Sequence, residues 1–137
     1  MPVPQEPAWM SEEEVAAISM QAVALFGGFS GDVRDGNRFK AALGGPLTKW
    51  HYDESKPDTV TLSAAYCFAL VKGHVFHDGN KRTAYIVAIA FLELNDFICT
   101  PEQADIVKTM LGAADGSVTE ERLAHWFKTN STAKGSS

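Results

Sequence analysis

From Asn80 to Asn95 the chain is apolar on nearly every side of a helix once Thr83 is passed. This stretch constrains the fold more than any other. A helix without a polar face cannot rest on a surface, so other elements must wrap it. It does not serve a bilayer either: the longest apolar run, Ala84 to Leu92, falls far short of the roughly 20 residues a membrane span needs. The remaining chain must therefore supply the wrapping.

The pattern provides it. Ser11-Glu12-Glu13-Glu14 reads as a capping box, in which the serine hydroxyl accepts from the third helical amide while Glu14 reaches back. Val15, Ile18, Ala22, Leu25 and Phe26 follow at helical spacing, and Gly27-Gly28 ends that helix. Gly31 to Gly36 is turn chemistry. A short helix is expected from about Asn37 to Leu43, stopping at Gly44-Gly45-Pro46. Leu47 to Asp58 has no clean period and carries Trp50 and Tyr52 among polar residues, which predicts an exposed loop or short hairpin. Thr59 to Lys72 is a helix with Leu62, Ala65, Tyr66, Ala69 and Leu70 on one face, broken at Gly73. Pro101 can open another helix, running to about Ala114. Asp115-Gly116 turns the chain into a last helix, Thr119 to Thr129, which buries Leu123, Trp126 and Phe127. Phe97 to Thr100 is the one weak strand candidate. The expectation is an all-α or nearly all-α fold, with one domain over residues 11–128. A loose segment 1–10, with Trp9 folding back, and a flexible tail 129–137 flank it.

Composition narrows the partners. With 17 acidic against 12 basic residues the net charge is −5, which gives no general attraction to nucleic acid or anionic lipid. Neither is expected as a partner. Any basic cluster should instead serve a small anion. Cys67 and Cys99 sit in apolar surroundings at a spacing that suggests neither a metal knuckle nor a redox pair, so buried free thiols are expected. The first residues lack the features of a secretory signal, and a cytoplasmic location is the expectation.

Chemistry concentrates in His74-Val75-Phe76-His77-Asp78-Gly79-Asn80-Lys81-Arg82-Thr83. This loop delivers its side chains to the start of the apolar helix. Helix-start amides and the helix dipole favour an anion there, and Gly79 lets a ligand approach the backbone closely. Lys81 and Arg82 oppose the dipole unless an anion sits between them, and Arg can grip phosphate bidentately. An imidazole such as His74 can take a proton from an attacking hydroxyl near neutral pH. Asp78 is a lone carboxylate beside the anion site, and Mg²⁺ needs only one or two carboxylates plus phosphate oxygens and water. Each residue also has a plainer role. Asp78 or Asn80 can cap the helix, Lys81 and Arg82 can form a solvated face, and His74 can be a structural hydrogen-bonder. It is the conjunction that favours chemistry, since capping needs no cations and a solvated face needs no Gly-Asn. The segment is not a Walker loop, because Gly79, Lys81 and Thr83 are interleaved with Asn80 and Arg82. His74, His77 and Asp78, in a loop without further ligands nearby, are weak evidence for zinc.

The segment resembles the signature of the Fic/Doc superfamily, His-Pro-Phe-x-Asp/Glu-Gly-Asn-Gly-Arg-x-x-Arg, and most closely its death-on-curing (Doc) toxin branch. Phe26-Gly27-Gly28, Gly31 to Asp35, Ala64-Ala65-Tyr66 and Phe91 to Asn95 are similar to further Doc landmarks in order. The departures are Val75 for proline, Lys81 for the second glycine and Tyr85 for the last arginine. The resemblance implies a compact helical bundle around a central buried helix, with at most a minimal β-hairpin flap. The lysine and the missing arginine mark Doc proteins, in which the nucleotide binds in the reverse sense and the γ-phosphate of ATP passes to a protein hydroxyl. The implied target is a threonine of translation elongation factor Tu, whose modification arrests translation, and the implied partner is an antitoxin. Carried over by residue, His74 would be the general base and Asp78 the Mg²⁺ ligand. Gly79, Asn80, Lys81 and Arg82 would hold the phosphates. Trp50 and Tyr52, in the place of the family's flap, would dock the target. The alternatives are AMP transfer by an adenylyltransferase and a catalytically silent binding module.

Overall fold

The computed structural model describes residues 5–26, 31, 33–77 and 79–135. Six helices appear in order: α1 (Glu12–Phe26), α2 (Gly36–Tyr52), α3 (Thr59–Gly73), α4 (Asn80–Leu94), α5 (Gln103–Asp115) and α6 (Glu120–Thr129). Two three-residue strands, β1 (Phe97–Cys99) and β2 (Ser131–Ala133), pair antiparallel with Ile98 opposite Thr132. The fold is mostly helical, as expected.

Local chemistry sets the helix starts. Glu14 donates its amide to Ser11 Oγ at 3.1 Å and accepts the Ser11 amide at 3.0 Å, closing the capping box of α1. Asp35, Asp58 and Thr119 cap α2, α3 and α6 through their side chains. Gly27 and Gly28, expected to end α1, lie outside the described residues.

α3 and α4 run together through the core. α3 buries nine residues against six for α4, so α3 carries more of the core than α4. Its small residues Ser63, Ala64, Ala65 and Cys67 are all buried and admit close neighbours on several sides. α4 packs on it through Ala84, Val87, Ala88, Phe91 and Leu92. Phe91 centres an aromatic cluster, stacked on Trp9 at 6.1 Å and tilted against Tyr66 at 4.9 Å.

Two expectations are corrected. α2 does not stop at Gly44-Gly45-Pro46 but continues to Tyr52, with Pro46 inside it and buried beside Phe39, Ala42 and Leu43. Propensity disfavours this by about 3 kcal/mol for proline and about 1 for each glycine, and the burial of that face outweighs it. The loop or hairpin expected over Leu47–Asp58 is thereby reduced to the turn after Tyr52. The segment before α1 is tied down where it is described. Ala8 exchanges hydrogen bonds with the Asn95 side chain, and Met10 donates its amide to Tyr66 Oη at 3.2 Å. Within the expected flexible tail, residues 131–133 form β2 because the Phe97–Cys99 edge offers backbone partners.

Cys67 is buried and Cys99 half-buried, and neither forms a disulfide. Burial pushes the Cys67 thiol up. Among the described residues no helix is long and apolar enough to cross a membrane.

Asp58 ties α3 to α6. Its Oδ1 accepts the Thr61 amide at 2.7 Å and its Oδ2 meets Lys128 Nζ at 3.2 Å. Partial burial alone would raise this carboxyl. The Thr61 hydrogen bonds and the Lys128 ammonium outweigh that and hold it below its ordinary value. A depressed folded pKa contributes stability that is present above the unfolded value and lost as pH falls through the folded one. Asp58→Asn keeps a capping oxygen but cannot titrate. Urea midpoints across the carboxylate range, roughly pH 2–5, should fall less steeply with acid in this variant than in the wild type. Equal slopes would contradict the assignment.

Candidate active site

α3 ends at Gly73, but the left-handed turn that stops it falls on the next residue. His74 has φ 46° and ψ 49°. Glycine or asparagine usually takes this position because a Cβ crowds the backbone. A non-glycine residue held this way costs on the order of 1–3 kcal/mol and persists only where its surroundings enforce it.

The enforcement comes from two sides. Arg38 of α2 donates Nη1 to the Gly73 carbonyl at 3.3 Å, and the Arg34 amide donates to the Val75 carbonyl at 2.7 Å. Val33 and Phe76 form an antiparallel bridge. From α4, Asn80 engages both backbone groups of Phe76. Its Oδ1 accepts the amide at 3.0 Å and its Nδ2 donates to the carbonyl at 2.9 Å. The Phe76 ring is buried edge-on against Phe39 at 5.8 Å, and Val75 is buried beside it. His74 and His77 stay exposed. The backbone of the loop is gripped while its two imidazoles face solvent.

Gly79 stands just ahead of α4 as its N-cap, and its φ of +71° suits glycine. A Cβ placed there would lie 3.0 Å from Arg82 Nη2, so the guanidinium folds back over the helix start rather than away from it. Lys81 is exposed, and the first turn holds no acidic residue. Helix-start amides with two cations suit an anion, worth about 0.3–2 kcal/mol per charge from the dipole. Thr83 does not join them: it is fully buried and its hydroxyl is sealed from solvent.

Tyr85, one turn along, is half-buried with its ring stacked on Phe127 at 6.4 Å and tilted against Trp126 at 6.3 Å. Burial pushes its phenol up to about 12, so it stays neutral. A cleft of about 430 Å³ opens between α4 and α5, with Lys81, Arg82, Tyr85, Gln103, Ile106 and Met110 on its walls.

Gly79 and Arg82 thus meet at the start of α4, while His74 stands exposed at the other end of the loop and Lys81 is exposed on the helix. Asn80, expected to hold phosphate, has both ends of its amide engaged by Phe76 and folds the loop onto α4. Asp78, the expected metal ligand, lies outside the described residues. No cluster of three or more His, Cys, Asp or Glu that could hold a metal occurs among the described residues. Trp50 and Tyr52 are not on a flap but in the last turn of α2. Trp50 is half-buried, edge-on to Trp9 at 6.4 Å and covered by Lys56 Nζ at 4.3 Å, whereas Tyr52 is exposed. The strand-like segment that meets the loop is Val33–Arg34, which turn residues alone did not reveal. The readable signal was Asp35, an N-cap two residues ahead of Asn37.

The Fic/DOC family profile matches residues 9–92, which include α3, the loop and most of α4. The protein kinase doc of Escherichia phage P1 is 34% identical over 117 residues, covering 84% of this chain and 89% of that protein. With the profile spanning the elements that build the loop and a relative aligned along nearly all of its length, the chain belongs to the Fic/DOC family.

Proposed function

We propose that the chain is a Doc-type toxin kinase that moves the γ-phosphate of ATP onto a serine or threonine hydroxyl of a target protein. Elongation factor Tu is the proposed target, and an antitoxin the proposed neutralising partner. Similarity to a protein kinase supports the reaction class. One structural observation favours phosphate transfer over AMP transfer. Where the AMP-transferring form of the signature carries its last arginine, Tyr85 presents a neutral ring packed on Phe127 and Trp126. No guanidinium is available there to hold the far end of a triphosphate.

In this reading His74 takes the proton from the attacking hydroxyl as the oxygen bonds to phosphorus and ADP leaves. Lys81, Arg82 and the amides at the start of α4 hold the phosphates, and the cleft between α4 and α5 is wide enough for the nucleoside. Asp78 would supply the carboxylate for a magnesium ion, which when bound neutralises phosphate charge.

The test is isotopic. Incubation with a translation extract and ATP labelled on the γ-phosphate should label a protein of the size of elongation factor Tu, and ATP labelled on the α-phosphate should not. Label from the α-position would support the adenylyltransferase reading, and no label from either would support a silent binding module.

A further inference from the structure

The two carbonyls that flank His74 are both held by one short segment, residues 33–38. The Arg34 amide takes the Val75 carbonyl after it, and the Arg38 guanidinium takes the Gly73 carbonyl before it. The segment is itself anchored. Ser19 Oγ donates to the Gly31 carbonyl at 2.9 Å. Asp35 Oδ1 accepts the Asn37 and Arg38 amides at the start of α2, while its Oδ2 lies 3.6 Å from Arg38 Nε.

Arg38 contributes little to the core. Its side chain is 50% exposed and its ion pair with Asp35 is a surface one, of a kind worth about 0–1 kcal/mol. Its distinctive contact is with the peptide that joins Gly73 to His74. That peptide leads into a left-handed residue with a Cβ, a conformation that relaxes unless both sides are fixed. Arg34 acts through its backbone and cannot be removed by substitution. Arg38 acts through its side chain and can.

We infer that Arg38 is a positioning residue: by fixing the Gly73 carbonyl it holds His74 in its left-handed conformation and so aims the imidazole at the acceptor hydroxyl. This rests on the reading of His74 as the base. Misplacement of a reacting group by about 1 Å can cost about 10²-fold in rate, so Arg38→Met, which keeps the aliphatic stem, should lower the maximal transfer rate by roughly 10–100-fold. The ATP concentration for half-maximal rate and the melting temperature should stay near those of the wild type, because the Arg38 side chain is half exposed and its polar head meets Asp35 and the Gly73 carbonyl.

A double-mutant cycle with His74→Ala, measured as γ-label transfer to translation-extract protein, isolates the effect. A residue acting only through His74 has nothing left to position once the imidazole is gone. The loss caused by Arg38→Met should therefore vanish in the His74→Ala background. An equal loss in both backgrounds, or no loss in the wild-type background, overturns the inference while leaving the base reading intact. If His74→Ala alone transfers at the wild-type rate, the base reading falls, and the positioning role falls with it.

Discussion

His74→Ala is expected to lower phosphate transfer by about 10²–10⁴-fold, the usual contribution of a positioned general base. Nucleotide binding should be nearly unchanged, since the anion site is built from the start of α4 and not from the imidazole. Stability should hold. The imidazole is exposed, and alanine in the same left-handed turn carries the same backbone strain. Maximal transfer rate, ATP concentration for half-maximal rate and melting temperature, measured on one preparation, separate these effects. A variant that binds ATP normally and transfers at the wild-type rate would make the imidazole a bystander.

The second large effect is on the fold. Phe91 is fully buried between Trp9 and Tyr66, and it is the ring through which the segment before α1 rests on α4. Phe91→Ala removes that ring from the packed core and should cost about 3–5 kcal/mol. For a chain of this size each kcal/mol shifts the melting temperature by several degrees, so a drop of roughly 10–20 °C is expected by calorimetry. The loss of packing should also free Trp9, read as a red shift and weakening of its contribution to tryptophan fluorescence. A drop of only a few degrees would mean that the cluster adds less than its burial implies.

The apolar helix and the helix starts were legible in the sequence because each rests on local rules. Ser11 and Glu14 cap over three residues, and Gly79 to Arg82 place cations at a helix start whatever surrounds them. What was not legible depends on distant partners. Gly44-Gly45-Pro46 reads as a stop, yet α2 passes through it because Phe39, Leu43 and Pro46 share a buried face. Ser131 to Ala133 reads as a frayed tail until the edge of Phe97–Cys99 is present to receive it. In the same way Arg38 looks like an ordinary charge on a helix, and its hydrogen bond to Gly73 spans 35 residues. Asn80 shows the limit within the loop itself. Its place ahead of two cations is plain in the sequence, whereas the turn of its amide onto Phe76 is not.

On this reading the start of α4 is a phosphate cradle. Backbone amide resonances followed by NMR during titration with a non-hydrolysable ATP analogue and magnesium test it most directly. Shifts that saturate together and centre on Gly79, Asn80, Lys81 and Arg82, fading along α4 beyond Ile86, are expected. Saturable shifts centred on another surface, or none at any analogue concentration, would contradict it.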